Sequence, residues 1–334
     1  VKKWLAVIVF CTLLILAAAW LAFNELKRYA AAAAGGPSSP QTVTIAKGQS
    51  FGTITQLLQS RGLITEPFKF RLLARLQDKD KRIQAGEYRL SAEMPPGDIL
   101  DALVTGKVRL YKLTVPEGSN MQQIAAIVDA AGLVTRAAFL EALTDTDLLQ
   151  NHGIAAASFE GYLFPETYFF PKNTPGQAVI AAMLERWATV FTEAWKKRAA
   201  GIGLSVHQVM TLASIIEKET AVADERPLIS SVFHNRLRRG MRLETDPTVI
   251  YGIDDFDGNL TRKHLTTPTP YNTYLIQGLP PGPIASPGAA AIEAALYPAD
   301  TPYLYFVSRK DGTHQFSVTF AEHNRAVKRY QLRR

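Results

Sequence analysis

Chemistry in this 334-residue chain has to come from 30 acidic side chains, six scattered histidines and a single cysteine. Cys11 lies inside an apolar run, which leaves the remainder of the chain with no thiolate for zinc or for nucleophilic attack. There is no HExxH, no Ser-x-x-Lys and no glycine pattern for a phosphate or dinucleotide, so no metal site and no cofactor is expected. One match to the hydrolase elbow, Gly48-Gln49-Ser50-Phe51-Gly52, opens a repeat whose second copy reads Gly118-Ser119-Asn120 without the second glycine. Ser50 is better read as the N-cap of the helix that follows.

What remains is carboxylate chemistry. The segment LSVHQVMTLASIIEKETA (204–221) has the pattern of a largely apolar, buried helix, yet it carries Glu217 and Glu219 near its C-terminal end. Desolvation raises the pKa of a buried carboxyl and keeps its proton near neutrality, the state needed to protonate a glycosidic oxygen. The helical wheel places both glutamates beside the same polar arc and does not choose between them. Neighbours three and four residues away do differ. Glu217 has Ala213, Ser214, Thr220 and Ala221, which leave room for a ligand, whereas Glu219 has Ile215, Ile216, Val222 and Ala223. Glu219 is therefore expected to make a structural hydrogen bond or an ion pair. A helix-end salt bridge is the plainer alternative for Glu217. Beyond the helix, Asn235, Glu244, Thr245, Asp246, Tyr271, Asn272 and Tyr274 supply the polar and aromatic groups of a sugar cleft. Ser214, Asn235, Thr245, Asp246, Tyr271, Asn272 and Tyr274 are the candidate substrate contacts, although each taken singly is an ordinary turn or core residue.

The elements that must position these groups begin with an uncharged run from Trp4 to Phe23 after Lys2 and Lys3. At about 1.5 Å per residue such a run spans the roughly 30 Å hydrocarbon core of a bilayer. A cleaved signal peptide is the competing reading; the run is longer than the usual signal core. An N-terminal anchor with an exported body is expected. Residues 24–41 read as a flexible linker, including the tether AAAAAGGPSSP at 30–40. A gap-free repeat with an offset of seventy then aligns Val43–Thr65 with Leu113–Thr135, matching Gly48 with Gly118, Ile54 with Ile124, and Gly62-Leu63 with Gly132-Leu133. Each copy reads as a strand, a glycine turn, an amphipathic helix and a glycine at C′. The expected units are 42–108, 109–150 and a larger one at 151–334. The last contains the aromatic- and proline-rich stretch 159–172, helices over 176–199, 205–220 and 224–239, a mostly irregular 241–288, a helix at 289–296, a strand at 303–308 and a helix at 319–330. The formal charge of +7 is spread in short clusters with no interleaved aromatic stripe, so nucleic acid is not an expected partner.

The runs SIIEKETAVADER (214–226), NRL (235–237), MRLETDPTVIYG (241–252), YNTY (271–274), GLPPGPIASPG (278–288), TPYLYFV (301–307) and, upstream, EGYLFPETY (160–168) together resemble the MltG (YceG-like) family of endolytic murein transglycosylases. The resemblance implies an α+β protein with an N-terminal transmembrane helix, one or two LysM-like modules, and a mixed α+β catalytic domain whose buried helix carries the catalytic glutamate. It implies a lyase at the inner membrane, with its bulk in the periplasm and cell-wall synthases as partners. The substrate would be the β-1,4 bond between N-acetylmuramic acid and N-acetylglucosamine in nascent peptidoglycan strands, and the product a 1,6-anhydro end. It assigns the essential glutamate to Glu217. A muramidase with Asp246 or Glu244 as second carboxylate, and a non-catalytic glycan-binding scaffold, are the competing functions.

Overall fold

The computed structural model describes residues 2–35 and 39–332, so part of the proposed linker (36–38) lies outside the described residues. The chain divides into two compact units, residues 1–111 and 112–334.

The first unit opens with helix α1 (Lys2–Ala31). It is long and apolar enough to cross a membrane, the one such helix among the described residues when helices are taken singly. Where the sequence suggests a linker from Asn24, the helix instead continues for eight residues, because Leu26 and Tyr29 are buried in this unit's core (6% and 7% exposed). Strand β1 (Gln41–Ile45), helices α2 (Phe51–Ser60) and α3 (Pro67–Leu76), strand β2 (Gly86–Leu90) and helix α4 (Pro96–Thr105) complete it. β1 and β2 are antiparallel, with Val43 opposite Tyr88 and Ile45 opposite Gly86. The alternation of the first copy thus buries Val43 and Ile45 together with Ile54, Leu58, Phe70 and Leu103. Ser50 caps α2 by accepting the Thr53 N–H, as its place in the repeat predicts.

The second unit begins on the second copy. Strand β3 (Leu110–Thr114), which crosses the boundary in sequence, is followed by α5 (Met121–Ala130), α6 (Arg136–Ala142), α7 (Asp147–Asn151) and the strand β4 (Thr167–Pro171) that pairs with β3. α5 begins seventy residues after α2 and has the same length. Gly62 and Gly132 follow the two helices with φ of +66° and +68°, the left-handed C′ position that glycine adopts without strain.

Then come α8 (Gly176–Val190), α9 (Glu193–Gly201), α10 (Val206–Glu219), a 3-10 turn (Ala223–Glu225), α11 (Arg226–Arg238), α12 (Asp246–Tyr251), α13 (Arg262–Thr266), α14 (Ala289–Leu296), strands β5 (Tyr305–Ser308) and β6 (His314–Ser317), and α15 (Phe320–Tyr330). α10 lies at the centre of this unit, packed against α9, α11, α12 and α14. Val209, Met210, Leu212, Ala213, Ile215 and Ile216 are all fully buried. Across both units the architecture is mixed α+β, with three two-stranded sheets among the described residues.

Candidate active site

α10 starts in a capping box, in which Ser205 accepts the Gln208 N–H and the Gln208 side chain returns to the Ser205 N–H. Its apolar faces are held by the core, so the polar residues of its last turn are fixed in direction. Glu217 and Glu219 are two residues apart, about 200° around the axis, and meet different surroundings.

Glu217 faces α14. The N–H of Gly288, the N-cap of α14, donates to Glu217 Oε2 (3.0 Å), and Arg226 Nη2 lies 3.7 Å from Oε1. Its side chain is 7% exposed. Burial raises its pKa and the nearby Glu117 adds to this, against the Gly288 hydrogen bond and Arg226.

Glu219 faces a cleft of about 300 Å³ lined by Glu219, Arg236, Leu243, Glu244, Thr245, Asp246, Tyr274, Phe306 and His323. The Thr245 hydroxyl donates to Glu219 Oε1. Burial pushes the Glu219 carboxyl up to about 7; Asp246 adds to the rise, while the Thr245 hydrogen bond and His314 oppose it. Thr245 is set by its neighbours, its N–H donating to Thr273 Oγ1 (3.1 Å) and its carbonyl accepting from Thr248 Oγ1 (2.8 Å). Asp246 begins α12 and accepts the Tyr274 hydroxyl at 2.7 Å. The wall opposite is organised by the buried Arg236. It donates to the carbonyls of Leu304 (2.7 Å), Arg242 (3.1 Å) and Leu243 (2.9 Å), pairs with Glu244 (3.1 Å), and stacks over Tyr305. Burial lowers the pKa of His323, and Arg236 lowers it further. The cleft thus sets one carboxyl pushed up to about 7 beside the exposed Asp246, a phenol and a hydroxyl, groups of the kind that serve acid/base work.

Of the residues nominated from sequence, Thr245, Asp246 and Tyr274 come together at this cleft with Glu219. Others serve elsewhere. Ser214 is fully buried, accepting the Ile284 N–H (3.0 Å) and donating to the Thr211 carbonyl (2.7 Å). Asn235 donates to the carbonyls of Thr301 and Tyr303, both at 2.8 Å. Asn272, also fully buried, gathers the carbonyls of His264, Leu265 and Thr267. Tyr271 packs against Tyr251 at 4.8 Å. Sequence reasoning missed Arg236 and His323 as cleft residues. Arg236 lies in the NRL run and was open to notice; His323, on α15, carried no signal. It also passed over Glu160, a second buried carboxyl pushed up to about 7 by desolvation, which accepts the Met121 N–H and the Tyr251 hydroxyl.

Residues 43–329 match the YceG-like family. The chain is 33% identical over 305 residues to the endolytic murein transglycosylase of Bacillus subtilis (strain 168), covering 86% of this chain and 84% of that one. It is 30% identical over 321 residues to the endolytic murein transglycosylase of Streptococcus pneumoniae R6, where the match covers 86% of this chain and spans 57% of the relative. Among solved structures, a putative YceG-like protein from Listeria monocytogenes superposes with a TM-score of 0.60 at 33% identity, over 86% of this chain and 98% of that one.

Proposed function

This chain belongs to the YceG-like family, and from that premise we propose that it is an endolytic peptidoglycan lytic transglycosylase whose acid/base is Glu217. The observation that carries the residue assignment is the Glu217 carboxyl at the end of the buried α10, 7% exposed, its pKa raised by burial and by Glu117, and held in direction by the Gly288 N–H. Glu219, pushed up to about 7 and lining the cleft with Thr245, Asp246 and Tyr274, is the competing acid.

In the proposed reaction the Glu217 carboxylic acid protonates the glycosidic oxygen between N-acetylmuramic acid and N-acetylglucosamine. The carboxylate then takes the proton of the muramyl 6-hydroxyl as that oxygen closes on C1, giving the 1,6-anhydro end. A single carboxyl suffices because the nucleophile belongs to the same ring, and intramolecular attack lowers the barrier by several kcal/mol, up to about 7–11. A hydrolase would need a second carboxylate to act on water or on C1. Asp246 is the nearest in kind, and its acceptance of the Tyr274 hydroxyl leaves it less free for that task. Thr245 holds the Glu219 carboxyl in place, and Tyr274 offers a ring and a phenol to a sugar.

Further parts of the reading are that α1 anchors the protein in the inner membrane with its bulk in the periplasm, that 42–108 is a LysM-like module followed by a second repeat unit (109–150) and the catalytic domain (151–334), and that cell-wall synthases are partners. The strand–helix–helix–strand order in the first unit and the seventy-residue correspondence of α2 and α5 support the module reading.

Mass spectrometry of peptidoglycan digested by the full chain, beside Glu219→Gln and Glu217→Gln, tests the core of it. Anhydro ends from wild type and Glu219→Gln, lost in Glu217→Gln, are expected. The reverse pattern moves the acid/base to Glu219. Reducing ends, heavier by one water, mean a hydrolase and turn attention to Asp246 and Glu244; glycan left intact by every protein means a scaffold.

A further inference from the structure

Helix α3 buries one face and leaves the other unpartnered within its unit. Phe70, Leu73 and Ala74 are buried (0%, 4% and 0% exposed), as an amphipathic helix of a small module requires. The opposite face is also apolar. Phe68, Leu72 and Leu76, spaced four apart and so on one side, are 71%, 38% and 62% exposed. The exposed Arg71 and Arg75 run along one border of this stripe. Three large apolar side chains in line on a ten-residue helix are more than the scattered apolar residues of an ordinary surface.

The position of α3 along α1 says what covers it. Lys69 of α3 donates to Glu25 of α1 at 2.9 Å and sits 5.9 Å from the ring of Tyr29. Leu73 and Leu76 share a cavity of about 580 Å³ with Phe23 and Leu26. Phe23 ends the uncharged run, and at about 1.5 Å per residue Glu25 and Tyr29 lie roughly 3 and 9 Å beyond it. The headgroup layer on each side of a bilayer is about 5–8 Å deep, the difference between a total of about 40–45 Å and a core of about 30 Å. α3 therefore packs on the stretch of α1 that crosses this layer.

We propose that α3 docks on the leaflet from which α1 emerges, seating Phe68, Leu72 and Leu76 at the boundary of headgroups and acyl chains and pairing Arg71 and Arg75 with anionic phospholipid headgroups. The arrangement is that of an interfacial helix, an apolar stripe bordered by arginine. It rests on the reading that α1 spans the membrane, and it adds that the first unit is held against the lipid surface by a second contact. The apolar cavity beside Phe23 is then an extension of the acyl region.

The test uses the full chain with Cys11→Ser, carrying one cysteine-linked nitroxide at a time, in vesicles of phosphatidylethanolamine and phosphatidylglycerol. Paramagnetic relaxation by oxygen, which concentrates in lipid, is compared with that by a water-soluble nickel chelate. With Phe68→Cys the oxygen-to-nickel ratio should be several-fold above that of Gln59→Cys, an exposed polar position on α2, and should approach that of Ile15→Cys in the span. A Phe68 ratio equal to that of Gln59 overturns the docking while leaving the span intact. A label shielded from both reagents overturns it in favour of a protein partner or a second copy. Water access at Ile15 overturns the span and the docking together. Adding Arg71→Glu and Arg75→Glu should lower the Phe68 ratio at least twofold in these vesicles, and an unchanged ratio removes the headgroup pairing.

Discussion

Glu217 and Glu219 share the end of α10 and differ in what meets them there: a helix N-terminus and an arginine for one, a hydroxyl and an open cleft for the other. If Glu217 is the acid, the free enzyme must carry its proton, so kcat/KM should fall on the alkaline side with an apparent pKa above the ordinary 4.5. Glu217→Gln should lose about 10²–10⁴ in rate and, with it, that limb. Thr245→Val separates the two acids. The Thr245 hydrogen bond favours the carboxylate and lowers the Glu219 pKa, so its removal shifts the alkaline limb to higher pH only where Glu219 is the titrating acid; a limb that stays put is the outcome expected for Glu217. The helix and its two acids were legible in the sequence, because an apolar run with carboxyls at its end is conspicuous. The partner of each was not. Nothing within α10 shows that Glu217 meets the N-terminus of α14, more than seventy residues away, or that Glu219 meets the hydroxyl of Thr245. Lateral packing of this kind leaves no mark in the local pattern.

Elements were readable where local chemistry sets their ends and obscure where partners do. The cap at Ser50 and the glycines at 62 and 132 mark both copies of the repeat, and α14 falls on the segment its pattern indicates. The expected single helix over 176–199 is instead two. Phe191 is fully buried, stacked on Trp187 at 5.5 Å and edge-on to Trp195 at 5.9 Å, and Thr192 caps α9 by accepting the Trp195 N–H. An apolar residue followed by a threonine does not announce such a break. β6 went unseen because its four residues become a strand only by pairing with β5. The irregular stretch 278–288 shows the same dependence. Gly161 has a φ of +83°, and a Cβ there would lie 2.4 Å from the ring of Pro283, so this close approach needs glycine. Gly161→Ala should therefore destabilise the second unit by about 1–3 kcal/mol, read as a lowered denaturation midpoint. An unchanged midpoint would mean that the 278–288 loop yields easily. Ser214→Ala should cost a similar amount, about 1–3 kcal/mol, because it leaves the buried Ile284 N–H without its acceptor.

Over the whole molecule, burial raises the pKa of three carboxyls of the second unit, Glu160, Glu217 and Glu219, the first and last to about 7 against an ordinary 4.5. Their sum predicts a pH dependence of folding opposite to that of a protein stabilised by ion-paired carboxylates. Above pH 4.5 the unfolded chain gives up these protons while the native state keeps them, so the native state binds more protons and stability falls as pH rises. The contribution is full below about pH 4.5 and lost as pH passes through about 7. Each retained proton steepens the decline by up to about 1.4 kcal/mol per pH unit within that window. Trp187 and Trp195 belong to the second unit, whereas Trp4 and Trp20 lie on α1. With Trp4→Phe and Trp20→Phe, tryptophan fluorescence during denaturant unfolding reports the second unit alone. Its stability should decline between pH 5 and 7 and level off above. Glu160→Gln, Glu217→Gln and Glu219→Gln should each flatten the decline, and only Glu217→Gln should also abolish glycan cleavage. A profile already flat in the unsubstituted unit would mean that these carboxyls ionise at their ordinary pKa in the folded protein, leaving Glu217 without the proton that the proposed first step requires.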